Sequence, residues 1–158
     1  MPDLPAFLQA RLDEHEAAIL ALPPEAQRRW DASDNLIGGL QWVGIFALDP
    51  DRPGRAHDIG RIRDRAVAEF VAANHPPRVL AEIAAKRRHL EIWRESLDQM
   101  SDARRKGAAA TDEMSRAGSV QQYERALGAF DTICKVLNLD VATYAWHAEF
   151  DETWSLDA

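Results

Sequence analysis

A long amphipathic segment at residues 74–100 sets the framework of the predicted fold. Proline disfavours helical dihedral angles in the residue before it and is well placed at the first helical position, so we expect a helix beginning near Pro77. Apolar side chains then recur at helical spacing, which predicts a helix with one buried face. These side chains are Val79, Leu80, Ile83, Ala84, Leu90, Trp93, Leu97 and Met100.

The composition is that of a globular protein. A chain of 158 residues has the length of a single domain, which we predict over residues 1–158. Its net charge of −7 argues against a nonspecific nucleic-acid or anionic-membrane binder. One cysteine excludes an intrachain disulfide framework, and no apolar run is long enough for a membrane span. The N-terminus does not resemble a signal peptide, so a cytoplasmic location is expected.

The residues before the central helix predict one helix and one strand. Asp3 is a suitable cap for a first helix that ends before Pro23 and Pro24. Residues 40–48 have the aromatic and β-branched composition of a strand, and they lie between Gly38-Gly39 and a turn-forming segment at 49–51. Residues 27–33 are the nearest candidate partner, which would make a hairpin. Alternatively, residues 36–48 form a buried helical turn, because a short apolar run is ambiguous.

The remaining residues predict further helices. A second helix is expected over residues 57–73, and residues 101–118 are predicted to be a mobile connection because they contain almost no large apolar side chain. Ser119 and Gln122 form a capping-box pair that predicts the start of the last helix, with Asn138 as its C-cap. The predicted fold is mainly α, a small bundle of four to five helices with a short β-hairpin inserted after the first. The predicted core face of the last helix comprises Val120, Tyr123, Leu127, Phe130, Cys134 and Leu137.

Three segments resemble the DUF6221 family of uncharacterised actinobacterial proteins. The central segment carries His75, Pro77, Arg78-Val79-Leu80, Glu82 and Ala85-Lys86-Arg87-Arg88, and the family's opening helix is similar to residues 5–16. The closing motif is represented by Tyr144, Ala145, His147, Phe150 and Trp154. Many members carry paired cysteines where this chain has only Cys134, so a metal role for those cysteines does not transfer. The resemblance implies no activity.

No catalytic or metal-binding motif is found in the sequence. The five histidines lie at positions 15, 57, 75, 89 and 147, and no HExxH pattern or comparable spacing joins two of them. No GxSxG motif occurs, and Cys134 falls on the predicted core face without a neighbouring base. We therefore predict no catalytic residue, no metal and no cofactor.

Candidate binding residues come from the basic central segment at residues 75–88 and from the aromatic tail at residues 140–154. They are His75, Arg78, Lys86, Arg87, Arg88 and His147. Glu82, Glu91 and Glu95 lie close enough in sequence to neutralise the basic residues, which favours a solvated helix flank over a phosphate-binding face.

Three functional hypotheses follow. The first is a non-enzymatic protein-interaction or binding module that includes self-association through an apolar face; complete coverage of the 79–100 stripe within one chain would count against it. The second is a small-ligand-binding protein or enzyme with a pocket between hairpin and helices, with His75, Arg78 or His147 at its rim. The third, a nucleic-acid-associated accessory protein, is disfavoured by the charge.

Overall fold

The computed structural model describes residues 3–37, 40–52 and 55–154, and the side chains of residues 34–42 lie outside this description. Four α-helices and three strands follow in the order α1 (Leu4–Leu20), β1 (Trp30–Ile37), β2 (Leu40–Leu48), β3 (Ala56–Ile62), α2 (Arg65–Ala73), α3 (Pro76–Ala109) and α4 (Glu113–Ala142). A short 3₁₀ turn, Glu152–Trp154, comes last. The prediction of a mainly α protein is confirmed.

The chain divides into two compact units. The helical unit comprises Met1–Leu12 and Ala85–Ala158, and the sheet unit comprises Asp13–Ala84. Each boundary falls inside a helix, so α1 and α3 contribute residues to both units.

The sheet unit is built on three antiparallel strands in the order β1-β2-β3. Trp30 pairs with Ala47 across β1 and β2, and Val43 pairs with Ile62 across β2 and β3. α2 packs on this sheet, since its Ala68 and Ala72 form one buried cluster with Val43 and Ile45. Alanines on the helix side allow a close approach of α2 to the strands.

Two sequence predictions for this unit need correction. Residues 57–73 do not form one helix, because residues 56–62 form β3 on the second edge of β2. α2 begins only at Arg65, where the Asp64 side chain accepts a hydrogen bond from the Val67 N–H at 3.0 Å. The helical-turn alternative for residues 36–48 is also wrong, since residues 40–48 form β2; Gly38 and Gly39 lie outside the described residues.

The helical unit is dominated by the antiparallel pair α3 and α4. His89 Nδ1 lies 2.7 Å from Asp140 Oδ2, and the Trp93 and Phe130 rings are 6.3 Å apart. With 34 residues, α3 is roughly 50 Å long. The buried positions of α4 are Ser119, Ala126, Ile133, Leu137 and Val141.

The predicted ends of the last helix are wrong. α4 begins at Glu113 because the Asp112 carboxylate accepts from the Ser115 N–H at 2.8 Å, so Ser119 lies inside the helix and donates to the Ser115 carbonyl instead. The helix also continues past Asn138 to a C-cap at Thr143. Residues 101–118, predicted as a mobile connection, form the end of α3, a three-residue connection at 110–112 and the start of α4. Of the helices that the structure describes, none has the length and hydropathy needed to cross a membrane.

Candidate functional site

The opening and closing family motifs meet in one aromatic cluster of the helical unit. Phe7 of α1 contacts Tyr144 edge to face, with ring centroids 6.4 Å apart, and its centroid is 5.0 Å from that of Trp154. All three side chains are buried. Trp146, in contrast, is 74% exposed. The cluster fixes the tail against α1, as aromatic burial would predict for a structural motif.

His147 belongs to the same cluster through Arg11. The Arg11 guanidinium contacts a ring nitrogen of His147, lies 5.3 Å from the centroid of Phe7 and forms an ion pair with Glu149 at 3.5 Å. The Glu149 N–H donates to Nδ1 of His147 at 3.1 Å. Arginine and the backbone N–H only donate hydrogen bonds, and a neutral imidazole accepts at one nitrogen only, so the two donors share Nδ1 of His147, which lies 3.3 Å from Arg11 Nη1. The surroundings of His147 are those of a side chain that holds the tail in place.

Lys86 connects the central motif to the closing one. Its Nζ donates to Thr143 Oγ1 at 3.0 Å and lies 5.2 Å from the centroid of the Tyr144 ring, a distance typical of a cation–π contact. Burial, followed by the nearby charge of Asp140, raises the pKa of the Tyr144 phenol. Tyr144 is therefore neutral at physiological pH and contributes its ring rather than a charge.

Of the other predicted site residues, Arg78 and Arg88 form ion pairs within α3, and the Arg78 guanidinium also donates to the Ala73 carbonyl at the end of α2 at 3.1 Å. Arg78 pairs with Glu82 at 3.1 Å, and its N–H donates to Nδ1 of His75 at 3.2 Å, which stabilises the start of α3. Arg88 contacts both Glu91 and Glu95, and the hydrogen bond to Glu91 is the main reason why the pKa of its guanidinium is raised. Arg87 is half-buried. His75 and Arg78 belong to the sheet unit, whereas Lys86, Arg87, Arg88 and His147 belong to the helical unit.

Neither an activated thiol nor a metal-binding cluster is found among the Cys, His, Asp and Glu side chains that the structure describes. Burial raises the pKa of the Cys134 thiol, and a hydrogen bond from Trp93 offsets only part of this rise. A thiol with a raised pKa is a weak nucleophile at neutral pH. Across the part of the chain that the structure describes, no group of three or more His, Cys, Asp or Glu side chains is placed to hold a metal ion.

An open flank of the α3–α4 pair is an unassigned surface of the helical unit. On α4, Val120 is 52% exposed and Leu127 is 37% exposed, and Tyr123 between them is half-buried. They follow at steps of three and four, which places them on one side of the helix. A groove of about 490 Å³ adjoins Val120 and Tyr123. It is lined by Ala103, Arg104, Gly107, Arg116, Ser119, Val120 and Tyr123.

The groove lies where the buried line of α4 is offset by one position from the predicted stripe, although Leu137 is buried as predicted. Ser119 and Ala126 face α3, where the sequence predicted Val120 and Leu127. A Cβ atom added to Gly107 would lie 3.4 Å from the Cβ of Ser119, so the two helices approach closely at this point. On α3 only Ile83 and Leu90 of the predicted stripe are buried, and the other large apolar members are half-buried. The signal that sequence reasoning missed is this alignment of small residues.

The fold defines a small α-rich protein with a three-stranded antiparallel sheet, and the three motifs point to one family. A family model described as "Family of unknown function (DUF6221)" matches residues 1–156. The chain therefore belongs to the DUF6221 family. Neither a curated protein nor a solved structure matches it.

Proposed function

We propose that the protein is a non-enzymatic interaction module that self-associates through the open flank of α3 and α4. The observation that carries this proposal is the exposure of Val120 and Leu127 on one side of α4, where Val120 lines a groove together with the small residues Ala103, Gly107 and Ser119. An apolar flank of this kind is typical of a surface that another helix covers. The apolar stripe at residues 79–100 of α3 is only partly buried, which also supports self-association.

A second copy of this chain would fit the flank, because projecting side chains and a recessed surface lie next to each other on it. Val120 and Leu127 project from α4, whereas Ala103 and Gly107 leave a hollow on the neighbouring part of α3. In a two-fold symmetric dimer the same patch meets itself, so the ridge of each copy can enter the hollow of the other.

The cellular setting is part of the proposal. A single, half-buried cysteine suits a reducing compartment, which supports a cytoplasmic location. Lysine occurs only at positions 86, 106 and 135, and arginine supplies the rest of the basic residues. This composition is typical of GC-rich genomes and supports the actinobacterial origin that the motifs imply.

The test is the oligomeric state of matched variants. The wild-type chain should give twice the chain mass in native mass spectrometry and in light scattering during gel filtration. Leu127→Glu should shift it to the monomer, because a charge buried in an apolar interface without a partner is strongly unfavourable. Leu139→Glu is the matched control, since Leu139 is an exposed leucine of the same helix, and it should remain dimeric. A wild-type chain that stays monomeric at every concentration, or equal loss in both variants, would overturn the proposal.

A further inference from the structure

One end of the sheet carries a pocket that the proposed self-association does not use. It has a volume of about 500 Å³, which lies within the range of small-molecule sites. All of its lining residues belong to the sheet unit. They are Arg28, Arg29 and Arg55, the apolar side chains of Leu48, Pro50 and Pro77, and Asp49.

The antiparallel topology brings these residues together. Arg28 and Arg29 precede β1, Leu48 ends β2, and Arg55 precedes β3, so all of them lie at one end of the sheet. The backbone there is well defined: the Leu48 N–H donates to the Arg29 carbonyl at 2.8 Å, and the Asp49 N–H donates to the Arg55 carbonyl at 3.2 Å.

The turn before β1 is also fixed by side chains. Gln27 Nε2 donates to the Leu22 carbonyl at 2.7 Å, and the Trp30 indole donates to the Ala26 carbonyl at 2.8 Å. Arg28 and Arg29 lie between these two anchors in sequence, so the segment that carries them is held at both ends. A site that is ordered before its ligand arrives loses less conformational entropy on binding.

The pocket is lined by three arginines and one aspartate, so positively charged groups are in excess. Arg28 Nη1 is 3.1 Å from Asp49 Oδ2, so these two charges compensate each other. Burial by itself would raise the pKa of Asp49, but the Asp51 N–H and the Arg28 guanidinium outweigh burial and lower it. Asp49 is therefore ionised at neutral pH. Among the side chains that the structure describes in this unit, those of residues 13–33, 43–52 and 55–84, Arg29 and Arg55 make no hydrogen bond or ion pair.

We propose that this pocket binds a small organic oxyanion, with Arg29 and Arg55 contacting the anionic group and Leu48, Pro50 and Pro77 contacting an apolar part of the ligand. Guanidinium groups pair well with both phosphate and carboxylate oxygens, often through two parallel hydrogen bonds. The apolar side chains distinguish this pocket from a general anion-attracting surface. The shared chemistry is an oxyanion attached to a small hydrophobic group.

Phenyl phosphate, benzoate and inorganic phosphate are the probes that test this proposal. Isothermal titration calorimetry at constant ionic strength should show saturable binding of phenyl phosphate or benzoate, and the preferred probe identifies the anionic group. Inorganic phosphate should bind more weakly, because it lacks the apolar part. Arg55→Gln, or independently Arg29→Gln, should weaken binding by about tenfold or more, since each removes a charge-assisted contact.

The matched control is Arg61→Gln. Arg61 is an exposed arginine of β3 that pairs with Asp58, outside the pocket, so its loss should change affinity by less than about twofold. Circular dichroism should show the same fold in all three variants. No saturable binding of any probe, or equal weakening by Arg61→Gln, would overturn the proposed site. Equal affinity for inorganic phosphate and phenyl phosphate would overturn the role of the apolar side chains.

Discussion

The two units of this chain obtain their order from different sources. The helical unit buries large aliphatic side chains completely, namely Leu8, Leu12, Leu90, Leu137 and Val141. The sheet unit has a smaller buried cluster, in which two alanines of α2 meet Val43 and Ile45. Its strands pair along their length except at a register shift beside Ile45 and Phe46, where Ile59 of β3 has no paired residue. The comparison teaches that side-chain burial dominates the helical unit, whereas backbone pairing and local turns shape the sheet unit and its pocket.

The largest expected effect of a substitution lies in the helical core. Leu137→Ala should lower the free energy of unfolding by about 2–5 kcal/mol, because it removes a side chain that is 1% exposed and leaves a cavity. Urea denaturation followed by circular dichroism measures this loss. Leu139→Ala is the control on the same helix, and its effect should stay within about 0.5 kcal/mol because Leu139 is exposed. Similar losses in both variants would contradict the buried line assigned to α4.

A smaller effect is expected in the sheet. A Cβ atom at Gly44 would overlap the ring of Phe46, two residues further along the same face of β2. Gly44→Ala should therefore lower the free energy of unfolding by about 1 kcal/mol, the low end of overpacking costs, because the Phe46 ring can turn away.

Gly60 provides the matched comparison, since a Cβ atom there would have no neighbour within 4 Å. Gly60→Ala on β3 should be neutral or slightly stabilising. Thermal and urea denaturation of both glycine variants would measure the difference. A loss for Gly44→Ala as large as that for Leu137→Ala would contradict the contrast between the two units.

Local sequence signals predicted elements well where neighbours along the chain decide the structure. The prolines before Arg78 predicted the start of α3 to within one residue, and the composition of residues 40–48 predicted β2. β3 was missed because its partner is the edge of β2, which local periodicity does not contain. The capping-box pair of Ser119 and Gln122 also predicted a helix start, but the helix already begins after the N-cap Asp112, which lies earlier in the chain.

The candidate sites also depend on contacts between residues that are distant in sequence. Nothing in the spacing of Arg28, Asp49 and Arg55 indicates a pocket, since only the strand order brings them to one end of the sheet. On α4, the large apolar residues were predicted to be buried, yet the small residues Ser119 and Ala126 face α3. Periodicity identifies an apolar side of a helix, and the fit to its neighbour decides which part of that side is covered.

The smallest expected effect is a pH dependence at the start of α4. Hydrogen bonds from the Ser115 N–H and then the Ser115 hydroxyl lower the pKa of Asp112 below its usual value. A lowered pKa in the folded state means that the stabilisation is complete above the unfolded pKa of about 3.9 and is lost as pH falls through the folded pKa.

Asp112→Asn keeps an N-cap acceptor but removes the titrating group. Urea denaturation between pH 7 and pH 2.5 should show the wild type more stable than Asp112→Asn at pH 7, with the gap closing below pH 4. Ser115→Ala, which removes the hydroxyl donor, should reduce the pH dependence of this gap. A gap that is constant over the whole pH range would show that the cap does not depend on the charge of Asp112.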